Sequence, residues 1–180
     1  MSELTIYSRP DDPAPQVFTD FEIIRERLDA IGVSFERWEA SRPLSADADQ
    51  DEVLAAYRED VERLTQQYGF KSVDVVALTP DHPKREELRQ MFLSEHTHDD
   101  FEVRFFVDGS GMFYLHPDEA VYMLRCDKGD LISVPAGTRH WFDMGPAPCF
   151  KAIRLFTTPD GWQAKFTGDG IADDYPRFGE

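Results

Sequence analysis

Four residues that can bind metal ions or anions lie close together in one aromatic-rich segment: His96, His98, Glu102 and Arg104. Side chains two residues apart on a β-strand point to the same face, so the two histidines project together. Glu102 and Arg104 share this parity if the strand continues or resumes after a turn. Two imidazoles and one carboxylate on one face suit iron(II), nickel(II), manganese or cobalt. The segment therefore predicts a metal site with an arginine beside it.

A second group of residues, about forty positions later, supplies a fourth candidate ligand. Its spacing is G-x5-P-x-G-x2-H, and its members are Gly129, Pro135, Gly137 and His140. The first group reads H-x-H-x3-E-x6-G and ends at Gly109. Together, in this order, they resemble the two sequence blocks of the cupin superfamily. That superfamily has a glycine where this chain has Gln90 and an asparagine where it has Met144, and neither position supplies a metal ligand.

Longer segments narrow the resemblance to one family. The segments "FERWEA", "KSVDVVAL", "EHTH", "EVRFFVDG", "DLISVPAGTRHWFDMG", "AIRLF" and "GWQAKFTGDGIADDYPR" together are similar to bacterial acireductone dioxygenase. The similarity runs from about residue 3 to residue 178. In that family three histidines and a glutamate hold the metal, and they correspond here to His96, His98, His140 and Glu102.

The resemblance implies an enzyme of methionine salvage, and thus of amino-acid biosynthesis. The family cleaves 1,2-dihydroxy-3-keto-5-methylthiopentene with dioxygen. The implied cofactor is one iron(II) or nickel(II) per chain. The iron form of the family gives formate and 4-methylthio-2-oxobutanoate, and the nickel form gives formate, carbon monoxide and 3-methylthiopropanoate.

Arg104 has two interpretations. Strand arginines usually face water or pair with acidic residues, of which this chain has many. The resemblance and the shared parity with Glu102 instead place Arg104 on the ligand face, where its fixed charge would stabilise an enediolate dianion. We therefore predict a catalytic role for Arg104.

Aromatic residues are candidates for the walls of a substrate pocket. A methylthio tail needs an apolar pocket, and sulfur packs well against aromatic rings, although most aromatics in such a chain are core residues. We predict that the walls are Phe105, Phe142, Trp162 and Phe92. Glu95 matches the family residue before the first histidine, for which a part in metal loading has been proposed. An acidic family position linked to conformational coupling is Phe101 here, and no role is assigned to it.

The rest of the pattern predicts a mainly β fold with peripheral helices. After Ser94, short apolar runs alternate with turn signals, and Asp108-Gly109 predicts a hairpin. The resemblance implies a cupin-type double-stranded β-helix, or jelly-roll, barrel. We expect a single domain of residues 1–180, in which a helical part at about 1–93 packs on a barrel at about 94–160. Apolar spacing and capping signals predict helices over about 19–31, 49–68 and 83–93, and strands over 33–40 and 71–78.

Composition excludes several partners. Nineteen basic and 35 acidic residues give a net charge of −16, which disfavours binding to nucleic acid or to an anionic membrane. There is no apolar run of roughly 20 residues that could span a bilayer, and no secretory leader. Cys126 and Cys149 could pair in principle, but without a secretory signal we expect free thiols in a reducing cytosol. Two cysteines with no CxxC also exclude a thiolate zinc ribbon. We expect a cytoplasmic monomer that binds a small acireductone and dioxygen.

Two other functions are compatible with a cupin fold, since this fold hosts many activities. A zinc- or manganese-dependent sugar-phosphate isomerase would need several basic residues for its phosphate, and the chain offers mainly Arg104 and Arg139 near the predicted metal. A non-catalytic cupin that binds a small molecule or stores metal would not consume dioxygen, so oxygen uptake distinguishes it from a dioxygenase.

Overall fold

The computed structural model describes residues 1–180 and is built on eleven antiparallel strands. The strands are β1 Glu3–Tyr7, β2 Gln16–Phe18, β3 Ser34–Arg37, β4 Ser72–Leu78, β5 His96–Thr97, β6 Glu102–His116, β7 Val121–Asp127, β8 Asp130–Val134, β9 Arg139–Asp143, β10 Phe150–Phe156 and β11 Lys165–Phe166. The helices are α1 Phe21–Asp29, α2 Gln50–Ala56, α3 Arg58–Tyr68 and α4 Arg85–Leu93, and a 3-10 turn covers Ile171–Asp174. The predicted mainly β fold with peripheral helices is confirmed. None of the helices combines the length and apolarity needed to cross a bilayer.

Strand β6 is the central element of the sheet. Its first half pairs with β8 and β10, and its second half pairs with β7 and β9. Strand β9 in turn pairs with β5, and β10 pairs with β4. Strand β9 therefore lies between β5 and β6. These three strands carry His96, His140, Glu102 and Arg104.

The predicted hairpin at Asp108-Gly109 is wrong, because both residues lie inside β6. Gly109 has a φ of 66°, and a Cβ there would overlap the carbonyl group of Cys149. The register between β6 and β10 also shifts between Lys151 and Ala152. The Asp-Gly pair correctly indicates a residue with positive φ. In this chain that residue forms a bulge at the point where β6 changes partner strands, and not a hairpin turn.

The N-terminal half contains more sheet than its helical pattern predicts. Strands β1 and β2 were not predicted, and β1 pairs with β7 along its whole length. Strands β3 and β4 lie within the predicted strand segments and pair with β8 and β10. The N-terminal half therefore extends the sheet as well as covering it.

The three predicted helical regions are present with different ends. The region at 49–68 is divided at Tyr57, whose φ of −108° separates α2 from α3 and whose ring is fully buried. Helix α1 is capped by Asp20, which accepts hydrogen bonds from the amides of Glu22 and Ile23, and not by Thr19 as the spacing suggested. Helix α4 begins at Arg85, so Pro83 precedes it.

The two faces of β6 are buried against different partners. Phe106 and Phe113 belong to the core between the sheets, together with Phe142 of β9. Val103 and Phe105 belong to a second core under α2 and α3. Burial of each large apolar side chain contributes about 1.5–3 kcal/mol. Because both faces are packed, the strand that carries Glu102 and Arg104 has little freedom to shift.

Replacement of Gly111 by alanine tests how tightly this strand is packed. A Cβ at Gly111 would overlap the ring of Phe142 without any positive φ to complicate the result. We expect Gly111→Ala to lower the free energy of unfolding by about 1–3 kcal/mol through overpacking, measured by urea denaturation at matched metal content.

Gly170→Ala is the matched control, because an added Cβ there meets no atom within 4 Å and the φ is −84°. It should change the free energy of unfolding by no more than about 0.5 kcal/mol. Equal stability of the two variants would show that the Phe142 ring is not held against β6 as described.

Candidate metal centre

Three histidines meet at one end of the sheet. His96 of β5 lies opposite His140 of β9 in the strand register, and their ring centroids are 4.4 Å apart. His98 follows two residues after His96, and one ring nitrogen from each of the three lies within 4.8 Å of the other two. All three side chains are buried. The pairing of β5 with β9 thus brings together the two sequence blocks.

Each imidazole is oriented by a hydrogen bond from its Nδ1 to the main chain. The bonds are 2.8–3.0 Å long and join His96 to Ser94, His98 to Gln163 and His140 to Thr138. A carbonyl oxygen only accepts, so Nδ1 carries the proton in each ring and the lone pair lies on Nε2. This is the orientation that metal-binding histidines commonly have.

Glu102 completes the group from β6. Its Oε1 accepts hydrogen bonds from Arg104, with 3.0 Å to Nε and 2.6 Å to Nη2. Its Oε2 lies 3.3 Å from Nε2 of His98 and 3.6 Å from Nε2 of His140, and none of these three atoms has a hydrogen-bond partner. Buried lone pairs that face one another are costly without a cation between them. Three imidazoles and a carboxylate therefore fit a divalent transition metal.

The charge state of the group agrees with this donor set. Burial, together with the neighbouring His140 and His98, lowers the pKa of His96 to about 3, so its ring is neutral near pH 7. Burial alone would raise the pKa of Glu102, but Arg104 and the histidines hold that pKa well below its usual range. A neutral imidazole and an ionised carboxylate are the forms that bind metal.

Arg104 is buried beside Glu102, with 3% of its surface exposed. Its guanidinium carbon lies 4.7 Å from the ring centroid of Phe113 and 5.0 Å from that of Phe142. Two of its nitrogens are held by Glu102, and Nη1 has no partner. The guanidinium group is thus fixed in place with one donor free, in a side chain that lines the cavity described next.

A cavity of about 550 Å³ adjoins the three histidines. Its polar lining includes the histidines, Arg104, Arg154 and Gln163. Its apolar lining includes Val76, Met91, Phe92, Phe142, Trp162 and Phe166. Met91, Trp162 and Phe166 are each about half exposed, which places them where the cavity meets solvent. A small molecule with one polar and one apolar end matches this division.

The predicted aromatic residues are not all in the cavity. Phe92, Phe142 and Trp162 line it, but Phe105 does not. Phe105 has the opposite parity to Arg104 on β6, so it packs in the second core, with ring centroids 6.0 Å from Trp38 and 5.6 Å from Tyr57. The period of two that placed Arg104 on the ligand face already excluded Phe105, and its selection as a pocket wall was wrong.

Arg154 is a cavity residue that sequence reasoning missed. It lies on β10 directly opposite Arg104. The available signal was an arginine within the apolar run "AIRLF". A charged residue in such a run needs a partner, and its partner Asp74 comes from β4, 80 residues earlier.

Glu95, directly before β5, connects the metal-ligand cluster to the C-terminal segment. Its carboxylate accepts hydrogen bonds from Nδ1 of His116 at 2.7 Å and from the hydroxyl of Thr167 at 2.9 Å. Thr167 directly follows β11, which pairs with β5 beside His96. His116 is the last residue of β6, and its side chain is buried against Glu95. The suggested part of Glu95 in metal loading remains a prediction.

Asp100, in the bend between β5 and β6, contacts the segment that follows β10. Its carboxylate accepts hydrogen bonds from the hydroxyl of Thr157 at 2.5 Å and the amide of Thr158 at 2.8 Å. Phe101, in contrast, packs against Tyr68 and Phe70, with ring centroids 5.6 and 5.5 Å away. The polar contact at this place is therefore made by Asp100, while Phe101 belongs to the second core.

The fold and the three-histidine, one-glutamate cluster define a cupin-type metalloprotein. The chain belongs to the ARD/ARD' family, whose model matches residues 5–164. It is 56% identical to the acireductone dioxygenase of Methylococcus capsulatus over 178 residues, which are 99% of this chain and 96% of that protein. It is 54% identical to the acireductone dioxygenase of Aquifex aeolicus over 180 residues, covering 100% and 98% of the two chains.

A solved structure gives the same result. Acireductone dioxygenase from Bacillus anthracis, with a cadmium ion in its active centre, superposes with a TM-score of 0.81 at 28% identity. The match covers 92% of this chain and 98% of that one. The predicted family and the cupin-type fold are confirmed.

Removal of a single imidazole tests the ligand set. We expect His140→Ala to purify with less than about a tenth of the metal of the parent protein, because the remaining donors leave the cation under-coordinated. Metal content is measured by mass spectrometry of the purified protein, and circular dichroism checks that the variant is folded.

His82→Ala is the control for the same substitution outside the site, because the His82 side chain only accepts a hydrogen bond from the amide of Lys84 near the start of α4. It should retain the full metal content. A folded His140→Ala protein with one metal equivalent would remove His140 from the ligand set.

Proposed function

We propose that His96, His98, Glu102 and His140 hold the catalytic metal of an acireductone dioxygenase and that Arg104 binds its anionic substrate. The activity follows from the family: the relatives are more than 50% identical across the chain and are acireductone dioxygenases. The chain is thus a metal-dependent dioxygenase of methionine salvage that uses iron or nickel. One observation supports the residue assignment most strongly: the unpartnered lone pairs of His98, His140 and Glu102 converge on one point.

The substrate, 1,2-dihydroxy-3-keto-5-methylthiopentene, has two ends of different chemistry. Its enediol and ketone oxygens form a polar end that becomes a dianion, and its methylthio tail is apolar. The iron form yields formate and 4-methylthio-2-oxobutanoate, and the nickel form yields formate, carbon monoxide and 3-methylthiopropanoate. The cavity has a matching polar end at the histidines and an apolar wall at Phe92, Phe142 and Trp162.

Arg104 is arranged to stabilise the anionic end. A metal held by the three histidines and Glu102 would supply a Lewis acid that lowers the free energy of the dianion. Arg104 adds a permanent positive charge whose position is fixed by Glu102 and by the rings of Phe113 and Phe142. Its free Nη1 can donate to a substrate oxygen without reorganisation of the side chain. Such preorganised donors are effective because they need not move as charge develops.

The apolar wall positions the tail and excludes water. Sulfur packs favourably about 5 Å from aromatic rings, and three aromatic residues line this wall. Trp162 is 48% exposed at the mouth of the cavity, where a bound tail would cover part of its ring. A drier cavity strengthens the interaction between Arg104 and the anionic oxygens.

The alternative functions have less support. Only Arg104 and Arg154 bring fixed positive charge into the cavity, whereas Arg139 donates to the carbonyl of Asp118 on the surface. A phosphate-binding isomerase site is therefore not favoured. We also propose that residues 1–180 act as one domain and as a cytoplasmic monomer without nucleic-acid or membrane partners, which the net charge of −16 supports.

Replacement of Arg104 tests its catalytic role. Arg104→Met should keep its bound metal but lose about 10²- to 10³-fold in turnover, the usual loss when a donor to a developing oxyanion is removed. Acireductone consumption is followed by absorbance at matched metal content.

Arg125→Met is the control, because Arg125 lies on β7 outside the cavity with a partly exposed side chain. It should retain parental turnover. If Arg104→Met also turned over within a few-fold of the parent, Arg104 would be only a structural partner of Glu102.

Exchange of the metal tests the function itself. Metal-free protein reloaded separately with iron(II) and with nickel(II) should consume the acireductone and dioxygen in both forms, because the donor set accepts either ion. Carbon monoxide should appear in the headspace only with the nickel form, as measured by gas chromatography.

Identical products from the two forms would contradict the family reaction as stated for this chain. No consumption above the metal-free background by either form would refute the dioxygenase activity.

A further inference from the structure

Arg154 brings a second guanidinium group into the cavity. It lies on β10 in direct register with Arg104 on β6, and both side chains line the cavity. Its side chain is 14% exposed. Like charges directly opposite each other on neighbouring strands are destabilising. Their presence side by side therefore calls for a compensating negative charge.

Asp74 neutralises the charge of Arg154 but pairs with only two of its three guanidinium nitrogens. It lies opposite Arg154 on β4 and accepts two hydrogen bonds, 2.9 Å from Nε and 2.7 Å from Nη2. The ring of Phe156 lies 5.3 Å from the guanidinium carbon. Nη1 makes no hydrogen bond to the protein. Arg154 is thus held as Arg104 is, by one carboxylate and an aromatic ring, with one nitrogen left over.

The charges around the cavity favour a dianionic ligand. Arg104 and Arg154 are balanced by Glu102 and Asp74, so the side chains contribute no net charge. A divalent metal at the histidines leaves two positive charges, which match a dianionic ligand. An ion pair that served only stability would not need to face the cavity beside another cation.

The reaction conserves the two negative charges of the substrate but divides them between two product molecules. In the iron-type reaction the dianion of the acireductone and dioxygen give formate and 4-methylthio-2-oxobutanoate. One bond between neighbouring carbons breaks, both oxygen atoms enter the products, and two monoanions replace one dianion. The two anionic products call for two separate cationic partners.

We propose that Arg154 is a second anion-binding residue of this cavity, which contacts the dianionic substrate and then the carboxylate of the 2-oxo acid product. The proposal rests on the function proposed above and names the residue that recognises the second negative charge of the substrate. Arg104 is held against Glu102 of the ligand cluster, Arg154 is held by Asp74 of the neighbouring strand β4, and both side chains line the cavity.

Ligand binding without turnover tests the proposal. Nickel-loaded protein under nitrogen is titrated by calorimetry with 4-methylthio-2-oxobutanoate and with the uncharged 4-methylthio-2-butanone, which has the same tail. In Arg154→Met the 2-oxo acid should bind about tenfold or more weakly, the usual loss for a hydrogen bond to a charged group. The ketone should bind within about twofold of the parent.

Two further variants separate binding from stability. Arg154→Lys keeps the charge and should recover part of the lost affinity for the acid, and Arg154→Gln serves if the methionine variant does not fold. Arg125→Met should bind both ligands as the parent does. In steady-state assays the KM for the acireductone should rise more in Arg154→Met than kcat falls.

Two results would overturn the proposal. One is unchanged binding of the 2-oxo acid by a folded Arg154→Met or Arg154→Gln protein, and the other is equal weakening of acid and ketone. Neither result bears on the proposed function, which is tested separately by acireductone consumption and product analysis with the parent protein.

Discussion

The convergence of buried lone pairs is the constraint on which the rest of the structure depends. Nε2 of His98, Nε2 of His140 and Oε2 of Glu102 face one another, and each atom has almost no exposed surface. Without a cation this arrangement is unfavourable, so the fold must hold the side chains there by other means. It does so with main-chain acceptors for each Nδ1 and with Arg104 for the other carboxylate oxygen. These contacts fix the geometry of the ligand cluster, and the converging lone pairs cost stability unless a cation lies between them.

The sequence could predict what depends on local period and on motif order. The period of two places Glu102 and Arg104 together, and the second block adds His140. The Asp108-Gly109 pair predicted the positive φ of Gly109 correctly but predicted a hairpin where the chain forms a bulge, because both structures contain a residue with positive φ. Phe105 was misplaced although parity alone would have excluded it. An Asp-Gly pair specifies local backbone conformation only, and aromatic character does not specify the face of a strand.

Strand register is what the sequence could not give. Asp74, Arg154 and Arg104 form a row across three strands, and 80 residues separate the first two. The contact between Glu95 and Thr167 spans 72 residues. No pattern within a single strand identifies such neighbours, because cross-strand pairs are set by how the strands align. The fold class, the metal cluster and Arg104 were therefore predictable, and the second guanidinium was not.

The segment after β10 links the cavity to the ligand cluster through one hydrogen bond. Nδ1 of His98 donates to the carbonyl of Gln163, next to Trp162 at the cavity mouth. Asp100 and Glu95, on either side of the two ligand histidines, fasten the beginning and the end of the same segment. A displacement of this segment would remove the acceptor that orients His98, because no other element supplies one. Gln163 thus lines the cavity and orients His98 at the same time, so we expect substitutions that move this segment to affect both substrate binding and the position of a ligand histidine.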